Sequence, residues 1–90
     1  MEPRSIYDVT DEGDRREAAY FISRGELGFA LAVPEDLDVR QIEDLFKKAG
    51  AASVRVDASS WPREIFVETD KGGYRLKKVE EGVYRLEATT

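Results

Sequence analysis

Any chemistry done by this chain must run on carboxylates, hydroxyls, lysine and tyrosine, because its 90 residues include no histidine and no cysteine. Without cysteine there is no thiolate nucleophile, disulfide framework, iron–sulfur cluster or Cys-ligated zinc. Without histidine, the side chain best suited to proton transfer near neutral pH is missing, and so is the commonest metal ligand. Ser5, Ser23, Ser53, Ser59 and Ser60 therefore have no imidazole to activate them, and neither a G-x-S-x-G elbow nor an S-x-x-K motif is present. Lys71-Gly72-Gly73 superficially resembles a phosphate loop, but the Walker spacing is wrong and no helix pattern follows, so a hairpin turn is the reading.

Carboxylates are plentiful but do not converge. Asp8, Asp11, Glu12 and Asp14 cluster around Gly13 without the alternate spacing of a calcium loop, so no metal is expected. The pairs Glu35-Asp36, Glu43-Asp44 and Glu80-Glu81 fall at a helix entry, on a helix surface and in a hairpin loop, which are three separate exposed places. No catalytic constellation and no cofactor motif emerges, and the expectation is a protein that is not an enzyme.

The informative residues are aromatic and basic. Trp61, Arg63, Phe66, Arg75, Lys77 and Arg85 are candidates for one partner-binding patch, since Trp, Tyr and Arg are enriched at interface hot spots. The competing reading makes Trp61 a plug at the sheet edge and Phe66 a lone exposed aromatic shielded by Lys and Arg stems. Basic and aromatic residues on a sheet also fit single-stranded nucleic acid, but Glu64, Glu68 and Glu87 interleave with them and argue against it.

The elements that must position these residues follow from periodicity. Residues 1–16 read as an acidic, weakly ordered N-terminal segment with a short strand at 5–9, and residues 17–90 as one domain. Residues 17–33 read as a hairpin turning at Arg24-Gly25, with Ile22 opposite Leu27, Tyr20 opposite Phe29 and Ala18 opposite Leu31. Its second face carries Ala19, Phe21, Ala30 and Ala32. That face is too apolar for open solvent, so it is either covered or pairs with a second copy in a homodimer.

One helix is expected over about 38–50. Asp38 is its N-cap, Gln41 completes a capping box, Leu37 and Ile42 form a staple, and Gly50 closes it. A strand at 53–58 precedes a three-stranded meander at 64–69, 74–79 and 83–88. Setting Thr69 opposite Tyr74 and Val79 opposite Val83 gives one core face. The outer face then has the rows Glu64–Val79–Val83, Phe66–Lys77–Arg85 and Glu68–Arg75–Glu87. The order ββαββββ defines an α+β, two-layer domain with a mostly antiparallel sheet.

The chain carries 19 acidic against 14 basic residues, a net charge of -5. No apolar run approaches a membrane span, and Met1-Glu2-Pro3-Arg4 is no signal peptide, so a cytoplasmic protein is expected, in the host cytoplasm if virus-encoded. The leading expectation is a small acidic protein-binding module that occupies a partner's surface, in the manner of inhibitors, immunity proteins and phage-encoded antagonists. The alternatives are a homo-oligomeric assembly component using the 17–33 hairpin, and a small-ligand binder or carboxylate-based enzyme.

Overall fold

The computed structural model describes residues 2–89. Its elements are β1 (Ile6–Asp8), α1 (Glu12–Ser23), β2 (Ala30–Ala32), α2 (Val39–Lys48), β3 (Val54–Asp57), β4 (Glu64–Thr69), β5 (Gly72–Glu80) and β6 (Val83–Ala88). The six strands form one sheet in the order β1-β2-β6-β5-β4-β3. The α+β class and the mostly antiparallel sheet are as the periodicity indicates. The exception is β1, which runs parallel to β2 with Tyr7 beside Leu31.

The expected hairpin over 17–33 is not formed, and this is the main correction. Residues 17–23 belong to α1, and only Ala30–Ala32 is strand. Helix wins because both ends of the segment are capped. Asp11 is the N-cap, its Oδ2 accepting from the Asp14 N–H at 2.8 Å, and the Arg15 N–H bonds the Asp11 carbonyl at 2.9 Å. At the other end Gly25 takes φ +75°. Its N–H bonds the Ile22 carbonyl, and the next N–H, of Glu26, reaches back to the Phe21 carbonyl at 2.9 Å. That is the Schellman closure, which needs a left-handed residue just past the helix. A glycine after an apolar run serves this closure as well as it serves a tight hairpin loop, and the acidic stretch before it decides between them. Ala18, Ala19, Phe21 and Ile22 are all buried, the i, i+1, i+3, i+4 spacing of a helix face. The acidic stretch of residues 1–16 itself holds β1 and the start of α1.

The expected helix at 38–50 is α2. Asp38 caps it by accepting from the Arg40 N–H at 3.0 Å. Gly50, at φ +106°, closes it by the same two-bond pattern as α1: its N–H bonds the Lys47 carbonyl and the Ala51 N–H bonds the Phe46 carbonyl. This helix carries the chain from β2 to β3 at the far edge of the sheet, and the meander β3 to β6 returns until β6 lies beside β2.

Both helices lie on the same side of the sheet. Tyr7, Leu31, Tyr84, Leu86, Leu76, Ile65 and Val67 from the strands are buried with Ala18, Phe21 and Ile22 of α1 and Ile42, Leu45 and Phe46 of α2. Burying side chains of this size contributes roughly 1.5–3 kcal/mol each. An ionic tie joins the two helices, with Arg15 Nε bonding Asp44 at 2.8 Å while its Nη1 bonds the Val9 carbonyl at 2.7 Å.

The meander forms with its faces as expected and one register corrected. Thr69 pairs with Gly72, not Tyr74, so the β4–β5 register is displaced by two residues and the loop is Asp70-Lys71 alone. Asp70 has another role: its Oδ1 accepts from the Ala52 and Ser53 N–H groups, tying the α2–β3 connection to the hairpin tip. Gly73 becomes a strand residue, where a Cβ would fall 2.4 Å from Thr89 Oγ1 and 2.9 Å from Glu68 Oε1. Because side chains alternate with period two, a two-residue slip leaves every residue on its expected face and changes only its neighbours. Between β5 and β6 the register is the expected one, with Arg75 opposite Glu87, up to an irregularity at Val79 that sets Glu80 opposite Val83.

Candidate binding face

With α1 and α2 on one side, the other side of the sheet is left without a layer of its own. Along β4, Ile65 and Val67 are buried while Phe66 and Glu68 are exposed, and along β6, Tyr84 and Leu86 are buried while Arg85 and Glu87 are exposed. The corrected register sets four rows across this open face, and two central ones, between Arg55–Glu68–Gly73 and Asp8–Ala32–Val83–Glu80, carry the patch. One is Asp57–Phe66–Arg75–Glu87, and the other is Glu64–Lys77–Arg85–Ala30–Ile6. The expected Phe66–Lys77–Arg85 row is therefore split, and Phe66 lies beside Arg75.

Within the first row, the Arg75 guanidinium lies 5.9 Å from the Phe66 ring centroid, and Arg75 Nε bonds Glu64 Oε1 at 2.8 Å. Phe66 keeps 38% of its surface exposed. Arg75 thus lies between an aromatic ring and a carboxylate that fixes its guanidinium. In the second row Lys77 and Arg85 are directly opposed. Glu64, on the other side of Lys77, is taken by Arg75. Arg63, Glu64, Arg75, Lys77 and Val79 line one shallow depression on the surface. Val79 is 51% exposed. At the rim, the Lys78 amine sits 2.9 Å from a Glu81 carboxylate oxygen, which pushes its pKa above the ordinary lysine value.

Of the six expected patch residues, Arg63, Phe66, Arg75, Lys77 and Arg85 lie on or beside this face. Trp61 does not join them. Its indole stacks on the ring of buried Tyr84, with centroids 5.1 Å apart at 20°, and its Nε1–H donates to the Glu35 carbonyl at 3.2 Å. The Tyr84 hydroxyl donates to the carbonyl of Pro62, next to Trp61. Trp61 thus closes one end of the core on the helix side. Its neighbour Tyr84 has its pKa raised above the ordinary tyrosine value by burial.

The four residues of the expected second hairpin face also separate. Ala19 and Phe21 are buried in α1 and present no surface to a second copy. Ala30 and Ala32 lie on the open face, where Ala30 adjoins Arg85 and Ala32 adjoins Val83. With Ile6, Val79 and Val83 they give the β1–β2–β6 side of this face an apolar strip. Its Ala–Ala and Val–Val pieces were visible in the sequence, but their joining depends on β2 lying next to β6.

The carboxylates have structural work to do. Asp8 accepts from the Thr10 N–H and hydroxyl, Asp11 caps α1, and Asp14 accepts from the Asp8 N–H at 2.8 Å and from the Arg4 guanidinium. The Asp8 N–H, followed by Arg4, holds the Asp14 carboxyl below its ordinary pKa. Asp44 is lowered likewise by Lys48 and then Arg15. Among the described residues no three Asp or Glu side chains converge on a point that would hold a metal ion. The groove at the C-terminal ends of both helices is lined by Ile22, Phe46, Gly50, Lys71 and Tyr74 without a carboxylate. No helix among the described residues is long and apolar enough to cross a membrane.

The chain matches no protein-family model, no curated protein and no solved structure. The open face is therefore read on its own chemistry.

Proposed function

We propose that this chain is a non-enzymatic protein-binding module that lays the open face of its sheet against a partner. The observation that carries the reading is the asymmetry of the two layers. One face of a six-stranded sheet is buried by both helices, and the other presents Phe66, Val79, Arg63, Arg75, Lys77 and Arg85 together. Six strands about 4.8 Å apart make a face about 24 Å across, enough for the footprint of a standard interface of about 800 Å² per partner. Rigid strands hold these side chains in place before binding, which keeps the ordering cost of association low. Surface occupation of this kind suits an inhibitor, an immunity protein or a phage-encoded antagonist acting in the cytoplasm.

The test is affinity capture from the organism that encodes the chain. Wild type is compared with Phe66→Ala and with Val79→Asp, each checked by circular dichroism for an unchanged fold. Affinity for the captured partner should fall about 30-fold or more with either variant, since truncating an interface hot spot costs about 2 kcal/mol or more. Equal capture by all three proteins would show that the open face is not the binding face.

A further inference from the structure

We infer that Lys77 and Arg85 anchor a carboxylate from an acidic segment of a partner protein, with the segment's apolar side chains seated on the adjoining strip. The inference rests on the reading of the open face as a binding face and adds the chemistry of what it binds. Lys77 on β5 and Arg85 on β6 are directly opposed cross-strand neighbours. Their Cβ atoms are about 4.5–5.5 Å apart in such a pair, and like charges there repel. Neither is in an ion pair with a carboxylate among the described residues: Glu64 is bonded to Arg75, and Glu81 to Lys78. Arg63 lines the same depression as Lys77 and is exposed and unpaired among the described residues too. A protein with an excess of five negative charges thus holds two opposed cations outside any ion pair among the described residues on its uncovered sheet face, with Arg63 in the depression beside Lys77.

Beside that spot the surface turns apolar. Arg85 pairs with Ala30, and Ala30 with Ile6; Val83 lies two residues before Arg85 and pairs with Ala32, and this second row ends in Glu80 on one side and Asp8 on the other. Ile6 is 41% exposed. A carboxylate placed between Lys77 and Arg85 accepts charge-assisted hydrogen bonds from both and removes their mutual repulsion. A flanking Leu or Val then covers the alanine and valine strip. A phosphate backbone fits less well, because it offers no aliphatic side chain to the adjoining alanine and valine strip.

The 15N-labelled full chain, titrated with three probes, tests this. The probes are an acetylated dodecapeptide alternating Glu and Leu, its Gln-for-Glu counterpart, and a ten-nucleotide oligo(dT). The Glu peptide should move the amides of Arg75, Lys77, Val83 and Arg85, and bind about tenfold more weakly as salt is raised from about 50 to 300 mM. The Gln peptide should bind at least about tenfold more weakly at low salt. Arg85→Glu sets a carboxylate opposite Lys77. It should abolish binding of the Glu peptide while leaving Tm unchanged or raising it by a few degrees, about 1–4 °C, as repulsion becomes attraction. A Gln peptide that binds as well as the Glu peptide, an Arg85→Glu variant that binds normally, or a Glu peptide that leaves these amides unmoved would each overturn the anchor. Stronger binding of oligo(dT) at the same amides would overturn it in favour of phosphate. The broader reading fails separately, by partner capture that is indifferent to Phe66→Ala, since Phe66 pairs with Arg75 in the other row, away from Lys77 and Arg85.

Discussion

Replacing Asp14 with Asn tests whether the acidic N-terminal stretch is a structural fastener. The Asp14 side chain is 23% exposed and accepts from the Asp8 N–H of β1 and from Arg4, while its own N–H is bonded by the α1 cap Asp11. Asn keeps one oxygen for the Asp8 N–H but removes the charge. A hydrogen bond to a charged group contributes about 1.5–3 kcal/mol and a neutral one about 0.5–1.5, so two such bonds lose about 2–3 kcal/mol at full burial. Partial exposure screens this to about 1–2 kcal/mol. For a domain of this size that is a fall in Tm of roughly 4–16 °C. The assay is thermal unfolding followed by circular dichroism at pH 7 and again near pH 2. The Asp14 pKa is lowered in the folded state, first by the Asp8 N–H and then by Arg4. Its stabilisation is therefore fully present above the unfolded carboxyl pKa of about 4 and is lost as pH falls through the lower folded value. Wild type and variant should differ at pH 7 and converge in acid. A Tm difference under about 2 °C at pH 7, or one that persists unchanged near pH 2, would refute this account of the fastener.

Gly25→Ala should destabilise by about 1 kcal/mol in urea unfolding, since Gly25 holds φ +75° at the α1 closure and no atom lies within 4 Å of an added Cβ, so the cost is conformational alone. Phe66→Ala should change the unfolding free energy by no more than about 1 kcal/mol while weakening partner capture, because the ring lies on the open face and keeps 38% of its surface exposed; a larger loss in urea unfolding would make it a structural residue. Tyr84→Phe removes the hydroxyl that donates to Pro62 and should cost about 1 kcal/mol by the same measurement. Burial raises the pKa of both Tyr7 and Tyr84, so their stabilisation is present below the unfolded tyrosine pKa of about 10 and is lost as pH rises through the higher folded values; unfolding scans between pH 8 and 11 should show this fall, and a flat profile would contradict it.

What was legible in the sequence depended on how many physical signals agreed. The helix α2 was readable because cap, staple, amphipathic stripe and closing glycine all pointed the same way. The faces of the meander were readable because alternation survives an even slip, so Phe66, Arg75, Lys77 and Arg85 were placed on one side although the β4–β5 register was displaced by two. The helix α1 was missed because Ala18, Ala19, Phe21 and Ile22 satisfy either period over so short a run, and Arg24-Gly25 suits either ending. The deciding signal was Asp11, three residues before Asp14, a capping arrangement that read as loose acidic sequence. Trp61 was grouped with the patch by residue type, and only its stacking on Tyr84 assigns it to the core.

By itself the sequence determined that the chain lacks histidine and cysteine, that it builds one α+β domain, and that aromatic and basic residues share the outer face of a meander. These are local properties, set by residue type, by capping chemistry and by a period of two. The tertiary structure alone decided that α1 exists beside α2, that both lie on one side, and that β2 docks against β6. Those choices rest on long-range burial: the apolar stripes of both helices need the same sheet face, so the other is left uncovered. That shared demand leaves Lys77 and Arg85, already opposed by the β5–β6 register, on the surface open to a partner, with Ala30 of β2 beside Arg85.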